Sequence, residues 1–207
     1  PEGWRTDGLK DKLAAQAKES PLARKDVYRT LFDSESPTRQ VADFLTEFIA
    51  QVFPQEFLTG KNKKVFNKKI LAFVNFNRFE TFTRVTLLDG FDSTKFKWMG
   101  YKCKKDNNKY FENENNWVLW KILKWVFEEL VVTLLRCYFY STEKQKEYSR
   151  IFFYRKCVWS IIMRLSIEDL QRENLKAVEK QVMRKDCETN NFAPGKLRLV
   201  PKGDTFR

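Results

Sequence analysis

The spacing of hydrophobic positions predicts helices over most of the chain. In the segment DSESPTRQVADFLTEFIAQVFP, residues 33–54, apolar side chains recur every three to four residues, which is typical of an amphipathic helix. Ser36 stands before Pro37, a residue tolerated in a first helical turn, so we predict that Ser36 caps this helix and that Pro54 ends it. The apolar stripe consists of Val41, Phe44, Leu45, Phe48, Ile49 and Val52.

A second amphipathic helix is predicted over GKNKKVFNKKILAFV, residues 60–74. Its apolar positions are accompanied by five lysines and by no acidic residue. A solvated helix face explains such lysines as well as a surface that contacts phosphate groups does, and the pattern leaves both interpretations open. The apolar positions are Val65, Phe66, Ile70 and Phe73, and the lysines are Lys61, Lys63, Lys64, Lys68 and Lys69.

Residues 77–109 show no regular period, and we predict a loop with short helical pieces. The tryptophan-rich segment from about Asn116 to Arg136 is apolar over most of its circumference, which predicts a helix at the centre of a domain. The run is long enough to suggest a membrane span, but each charged residue in it would cost about 2.5–3.5 kcal/mol at the bilayer centre. No membrane association is therefore expected. The charged residues are Lys121, Lys124, Glu128, Glu129 and Arg136.

The segments CYFYSTE and SRIFFYRK flank the polar connector KQKEY and are rich in aromatic residues that favour strands. We therefore predict a two-stranded β-hairpin inserted between helices. Farther on, SIEDLQRENLKAVEKQVMRK predicts a helix for which Ser166 and Asp169 have the spacing of a capping box. The tail NFAPGKLRLVPKGDTFR is interrupted by Pro and Gly and indicates strand and turn. The predicted fold class is mainly α.

Alternation along the second hairpin strand separates its side chains into two sets. Ile151 and Phe153 would face the core, together with Arg155 under strict alternation. Phe152 and Tyr154 would lie on the other face, with Lys156. Rings beside cations suit single-stranded nucleic acid, because bases stack on rings and cations contact phosphates. Packing against a core explains the same aromatic run equally well, so the residues alone leave both interpretations open.

Charge favours a polyanionic partner, because 39 basic and 27 acidic residues give a net charge of +12. The absence of histidine excludes His-dependent nucleophiles and His-containing zinc sites. The four cysteines form no C-x-x-C pair, so free thiols in a reducing compartment are expected. Adjacent acidic residues such as Glu128 and Glu129 point about 100° apart on a helix and do not converge. No catalytic or metal-binding residue, and no cofactor, is predicted for this chain.

Four segments resemble motifs of telomerase reverse transcriptase, in the order of that family. FYSTE followed by FFYRKCVW resembles the T motif, and QVFP followed by KKVFNKKILAFV resembles the QFP region. LLDGFDSTKFKWMG resembles the CP motif, and GKLRLVPKGDTFR resembles the opening of reverse transcriptase motif 1. The resemblance spans residues 38–207. It implies a telomerase RNA-binding domain, which is a two-lobed, mainly α module with an inserted hairpin that binds telomerase RNA and is not itself catalytic.

The resemblance also implies candidate RNA-binding residues. The T motif contributes Tyr140, Thr142, Glu143, Tyr154, Arg155, Lys156 and Trp159, to which the strand alternation adds Phe152. The CP motif contributes Phe96, Lys97 and Trp98. Lys63, Lys64, Lys68 and Lys69 are added from charge alone and not from the family.

Residues 1–30 are polar, match none of these four motifs and are expected to form an arm. By the resemblance, residues 31–195 form the RNA-binding domain and residues 196–207 the start of motif 1. The full-length parent would be a nuclear, telomeric RNA-directed DNA polymerase that also contacts telomeric DNA. Its magnesium-binding aspartates would lie in a polymerase domain beyond this chain. The chain is expected to be monomeric and to bind single-stranded and stem-junction elements of telomerase RNA. Two alternatives stay open: a helical protein-interaction module, and the RNA-binding domain of another reverse transcriptase or maturase.

Overall fold

A computed structural model describes residues 21–54, 58–93, 96, 109–144, 147–173, 176, 178–190, 195, 200–202 and 205–206. The helices are α1 (Pro21–Asp33), α2 (Thr38–Val52), α3 (Gly60–Val74), α4 (Arg84–Leu88), α5 (Lys109–Trp125), a π-helical segment (Val126–Val131), α6 (Val132–Tyr138), α7 (Lys156–Glu173) and α8 (Lys180–Asn190). The strands are β1 (Phe139–Lys144), β2 (Glu147–Arg155), β3 (Pro201–Lys202) and β4 (Thr205–Phe206). The prediction of a mainly α fold with an inserted hairpin is confirmed.

The chain divides into two compact units, which agrees with the two lobes that the resemblance implied. We call one the hairpin unit, which comprises Ser36–Glu143 and Glu147–Arg155. The other is the terminal unit, which comprises Pro1–Glu35, Lys144–Lys146 and Lys156–Arg207. Each unit is described below by itself.

Helix α2 begins two residues later than the predicted cap. Pro37 occupies the N-cap position with an extended ψ of 140°, and it supplies no side-chain cap. Ser36 is therefore not the cap, because the first helical residue is Thr38 and Ser36 lies one position before the N-cap. Its N–H instead donates to the carbonyl oxygen of Phe153 at 2.7 Å, which joins the start of α2 to the hairpin. The helix ends before Pro54, as predicted, although Val52 at its end is exposed.

The core of the hairpin unit forms where α2, α3 and α5 bury their apolar stripes. The spacing of apolar positions in α2 and α3 predicted these contacts, since residues three or four apart share one helix face. Two phenylalanine rings, Phe66 and Phe73, lie 5.7 and 5.6 Å from the ring of Phe127. The fully or almost fully buried members of this core are Val41, Leu45, Ile49, Phe66, Ile70, Val74, Leu119, Leu123, Val126 and Val131.

The central helix differs from its prediction in length and in regularity. It starts at Lys109 rather than near Asn116, and it contains the π-helical segment before α6. A π turn adds one residue to the helical repeat and rotates the following side chains. Val126, Phe127 and Val131 are all buried across this segment. The prediction that the helix is surrounded by core is wrong for one face, which exposes tryptophan side chains.

The paired strands β1 and β2 confirm the predicted hairpin. Phe153 lies in the core of the hairpin unit, where its ring packs edge-to-face on Phe139 at 6.4 Å, and Ile151 packs against the same core. The predicted core face of the strand is therefore confirmed. Ser149 has a φ of 76°, and its carbonyl oxygen accepts the N–H of Arg78 at 3.1 Å. This hydrogen bond fastens the loop after α3 to the hairpin.

In the terminal unit, α1 is joined to α7 by a polar network. Arg24 donates to Glu168 at 2.8 Å and forms an ion pair with Asp169 at 2.9 Å, while Tyr28 donates to Asp169 at 2.6 Å. The side chains of Arg24 and Tyr28 are buried. Residues 21–30 are therefore part of a packed helix, and the predicted arm boundary at residue 30 cuts through α1.

Helix α7 runs through the predicted cap at Ser166 without a break. Ser166 is buried, and its hydroxyl donates to the carbonyl oxygen of Ile162 at 2.7 Å, one helical turn earlier. Since a serine can satisfy its hydroxyl in this way inside a helix, the capping-box spacing did not mark a helix start. The actual interruption lies between α7 and α8. Near the end of the chain, Pro201 pairs with Phe206 in an antiparallel pair, which confirms the predicted strand; residues 203–204, where the predicted turn would fall, lie outside the described residues.

Tyr28 provides a test of the contact between α1 and α7. Burial, and secondly the hydrogen bond to Asp169, raise the pKa of Tyr28 above its ordinary value. Because the unfolded phenol ionises from about pH 10, the stability linked to this group is complete below that pH and is lost as the pH rises further. We expect Tyr28→Phe to lower the free energy of unfolding by about 1–2 kcal/mol at pH 7. We also expect the variant to lose less stability than the wild type between pH 9 and 11.

Urea titrations of the two proteins at pH 7, 9 and 11 measure both effects. The difference between the proteins isolates Tyr28 from the other tyrosines and the lysines that titrate in the same range. An identical alkaline decline in wild type and variant would contradict the role assigned to this hydroxyl.

Candidate nucleic-acid interface

The second face of β2 is buried, contrary to the expectation of an open RNA-facing edge. Tyr154 is 0% exposed and Phe152 is 4% exposed. A ring enclosed to this degree has no face available for a base. The prediction that Tyr154 faces RNA is therefore wrong, and its side chain is packed within the fold. The guanidinium of Arg150 lies over the Phe152 ring at 4.8 Å.

The T-like residues of β1 are also held within the hairpin unit. Thr142 is buried, and its hydroxyl donates to the carbonyl oxygen of Glu143 at 3.2 Å. The carboxylate of Glu143 is paired with Arg78 at 3.4 Å, and Tyr140 is half-buried. An acidic side chain beside a phosphate would be repelled, so pairing with Arg78 makes this part of the hairpin compatible with a polyanion.

At the end of β2 the chain passes directly into a helix. Arg155 is the last residue of the strand and is half-exposed, and Lys156 is the first residue of α7 and is exposed. The alternation predicted that Lys156 shares a strand face with Tyr154. This prediction is wrong, because Lys156 is helical and not part of the strand. Trp159, one turn into α7, is buried. Of the candidate T-motif residues, Arg155 and Lys156 are the cations that remain accessible to solvent.

The CP-like segment is described only in part. Phe96 is buried in the core of the hairpin unit, with its ring 6.4 Å from that of Phe91. Asn62 of α3 holds this segment, because its side-chain amide donates to the carbonyl oxygen of Asp92 and accepts the N–H of the same residue, both at 2.9 Å. Lys97 and Trp98 lie outside the described residues.

The lysines of α3 fall into two groups. Lys63, Lys64 and Lys68 are exposed, as is Lys61. In the described part of the chain, no carboxylate forms an ion pair with any of these four. Lys61, Lys64 and Lys68 lie three and four residues apart and so form a stripe opposite the buried face of the helix.

Lys69 differs from the other lysines of α3. It was predicted to contact phosphate, but in the structure it makes contacts within the protein. Its ammonium donates to the carbonyl oxygen of Thr86 at 2.6 Å and lies 3.8 Å from the carboxylate of Asp89. Only 16% of its side chain is exposed. The position explains the difference, because Lys69 lies on the side of α3 that faces α4. The sequence placed all these lysines on one helix but did not show which one had a partner.

Sequence analysis also missed Arg78 and Arg150, two cations attached to the hairpin. Each lies over a phenylalanine ring, Arg78 over Phe79 at 5.3 Å and Arg150 over Phe152 at 4.8 Å. The adjacent Arg-Phe pair and the Arg-x-Phe spacing were the available signals. The sequence does not show that the loop after α3 lies against the hairpin, which is what brings Arg78 close to β2.

Among the described residues, no group of three or more Cys, Asp or Glu side chains is arranged to hold a metal ion. In the same part of the chain, no helix has the length and apolar character to cross a membrane.

Sequence comparison places the chain among telomerase proteins. The family described as "Telomerase ribonucleoprotein complex - RNA binding domain" matches residues 40–170. A telomerase reverse transcriptase of Oxytricha trifallax is 58% identical over 207 residues, which are 100% of this chain and 18% of that protein. One of Euplotes aediculatus is 40% identical, again over 100% of this chain and over 20% of that protein. The chain therefore spans about a fifth of the length of the curated relatives it matches.

Solved structures show the same fold. A telomerase from Candida albicans, in complex with the TWJ fragment of telomeric RNA, superposes with a TM-score of 0.69 over 97% of this chain and 30% of that one, at 20% identity. A vertebrate RNA-binding domain of telomerase superposes with a TM-score of 0.59 over 83% of this chain and 73% of that one, at 19% identity. These similarities establish the architecture.

Tyr154 tests whether the second face of β2 is packed. Removing a fully buried ring deletes its contacts and leaves a cavity, so we expect Tyr154→Ala to lower the free energy of unfolding by about 3–5 kcal/mol. Tyr154→Phe keeps the ring and should cost much less. Denaturant titration followed by circular dichroism measures both variants. If Tyr154→Ala unfolds at the wild-type midpoint, the ring is not packed as described.

Proposed function

Because the chain belongs to the family of telomerase RNA-binding domains, we propose that it binds telomerase RNA and anchors it, so that the template is held for telomeric DNA synthesis by a separate catalytic domain. The observation that carries this proposal is the match of the family to residues 40–170, supported by 58% identity along the whole chain. The net charge of +12 agrees with a polyanionic partner. Membership of this family also sets aside the maturase alternative.

The exposed stripe on α3 is the proposed phosphate-contacting surface. Lys61, Lys64 and Lys68 carry positive charge to solvent, with no carboxylate paired to them in the residues that the structure describes. Neutralising a phosphate releases condensed counterions, and the affinity gained in this way falls as the salt concentration rises. Lys63 is also exposed, but its spacing of three and seven residues from the buried Phe66 and Ile70 puts it on the other side of α3, so it is proposed as a separate phosphate contact.

The T-like region is proposed to contribute Arg155, the last residue of β2, and Lys156, the first residue of α7, as RNA contacts, since the side chain of each reaches solvent. Buried rings would act indirectly. Phe152 and Tyr154 would keep β2 in place, and Trp159 would keep the first turn of α7 in place. Tyr140, Thr142 and Glu143 would hold β1, and Phe96 would hold the CP-like segment. Lys97 and Trp98, which lie outside the described residues, stay proposed RNA contacts.

For the full-length protein we extend the proposal to the activity in the name of its relatives, telomerase reverse transcriptase. Such a protein would be an RNA-directed DNA polymerase that acts in the nucleus at telomeres and contacts telomeric DNA. Its magnesium ions would belong to the polymerase domain. The present chain would act as a non-catalytic monomer that binds single-stranded and stem-junction elements of the RNA.

A double substitution on α3 tests the phosphate-contacting surface. We expect Lys64→Ala with Lys68→Ala to weaken binding of in vitro transcribed telomerase RNA by about 10-fold at 150 mM salt. Two lost phosphate contacts should also reduce the slope of log affinity against log salt by about 1.4, at roughly 0.7 per phosphate on a single strand. Gel-shift titrations at several salt concentrations measure both quantities.

Lys69→Ala is the matched control, because it removes one lysine from the same helix. It should lower the free energy of unfolding by about 1 kcal/mol through the lost hydrogen bond to Thr86, and it should leave the salt slope unchanged. Wild-type affinity and slope in the double variant would refute the α3 surface. A wild-type chain that binds no RNA, but retains a protein partner after nuclease treatment, would favour a protein-interaction module instead.

A further inference from the structure

One face of α5 exposes tryptophan rings among cations, and no role has yet been given to it. Trp117 is 50% exposed and Trp125 is 52% exposed, and between them lies the partly buried Trp120. One side of the helix carries Trp117 and, three, four and seven residues after it, Trp120, Lys121 and Lys124. Trp125 adjoins the same side one residue later. We call this surface the tryptophan face.

The cations of the tryptophan face are positioned against its rings. Lys121 lies 5.3 Å from the ring centroid of Trp117 and 5.0 Å from that of Trp120. Lys124 lies 5.5 Å from the Trp120 centroid. Arg84 of α4, from another part of the sequence, lies 5.4 Å from the same ring. Rings and cations from two elements are therefore brought together on one surface.

Packing of the core does not require these exposed tryptophans. The opposite side of α5 already buries Leu119 and Leu123, and Val126 continues that buried side. A helix face that only met water would normally carry polar side chains, so exposing half of two large apolar rings needs another explanation. A surface for a partner supplies one.

The charge of the face indicates which class of partner fits. Arg84, Lys121 and Lys124 lie over the rings of Trp117 and Trp120, and among the described residues Glu128 is the acidic partner of Lys124, at 3.7 Å. Flat rings favour flat ligands, and cations beside them favour ligands that are also anionic. An unpaired nucleotide has both properties, whereas a duplex hides the faces of its bases.

We propose that the tryptophan face binds an unpaired segment of RNA, with bases stacked on Trp117 and Trp125 and phosphates near Arg84, Lys121 and Lys124. This proposal rests on the proposed RNA-binding function and adds a second contact surface to it. At 1.5 Å per residue the two exposed rings are about 12 Å apart along α5. That distance exceeds the roughly 3.4 Å between stacked bases, so the rings would take bases that are splayed apart.

The probe is a fluorescein-labelled, single-stranded 12-nucleotide oligouridylate, because stacking tolerates any base. Anisotropy titrations of the whole chain give the affinity, and quenching of intrinsic fluorescence reports stacking on tryptophan. We expect Trp117→Ala and Trp125→Ala each to weaken binding about 5-fold or more. Trp117→Phe, which retains a ring, should bind within about 2-fold of the wild type. Because both positions are half-exposed, the variants should keep the fold of the wild type, and their unfolding midpoints check this.

Lys121→Ala gives a second measurement that does not depend on the rings. It should reduce the slope of log affinity against log salt by about 0.7. Lys25→Ala, an exposed lysine on α1, is the matched control and should leave the slope unchanged. An unlabelled 12-base-pair RNA duplex should compete poorly with the oligouridylate, because its bases are already stacked on each other.

The outcomes separate this proposal from the one it rests on. If the wild type binds oligouridylate and both tryptophan variants bind equally well with unchanged quenching, the tryptophan face is refuted and the proposed function stands. Equal competition by the duplex would refute selection of unpaired bases. If the wild type binds neither oligouridylate nor telomerase RNA, both proposals fail together.

Discussion

Both faces of β2 are buried, and this burial decides which side chains are left to contact a nucleic acid. Phe153 packs on Phe139 in the core of the hairpin unit, and Phe152 and Tyr154 on the opposite face are buried as well. The richest aromatic run in the sequence therefore holds the strand in place. Since enclosed rings offer no face to a base, the proposed recognition of RNA would use exposed cations and surfaces on helices instead.

The exposed surface of α3 is set by which of its positions are buried. In α3 the buried face consists of Phe66, Ile70 and Val74 with Asn62, and the remaining positions are free to carry lysine. Among the lysines of α3, Lys69 is the one bonded within the protein, because the carbonyl oxygen of Thr86 and the carboxylate of Asp89 lie on its side of the helix. An ammonium bonded in this way has less freedom to follow a phosphate.

Periodicity predicted α2, α3 and the hairpin because burial of one face leaves a repeat of 3.6 or 2 residues that a single sequence displays. It did not predict what Ser36 and Ser166 do. Each can satisfy its polar groups by capping or by another hydrogen bond, and the choice depends on Phe153 in one case and on Ile162 in the other. The candidate site was less predictable for the same reason. Composition identified rings and cations, but not which of them are buried or paired.

The exposed surfaces of the hairpin unit would also contribute differently to RNA recognition. Lysine contacts to phosphates position a nucleic acid but carry little information about its structure, and they weaken as salt screens them. Rings such as Trp117 and Trp125 can distinguish unpaired from paired bases, and stacking depends less on ionic strength. A domain that must hold a folded RNA with both helical and single-stranded parts needs both kinds of contact. Placing the lysines on α3 and the exposed rings on α5 lets electrostatic attraction and selection of unpaired segments be adjusted separately.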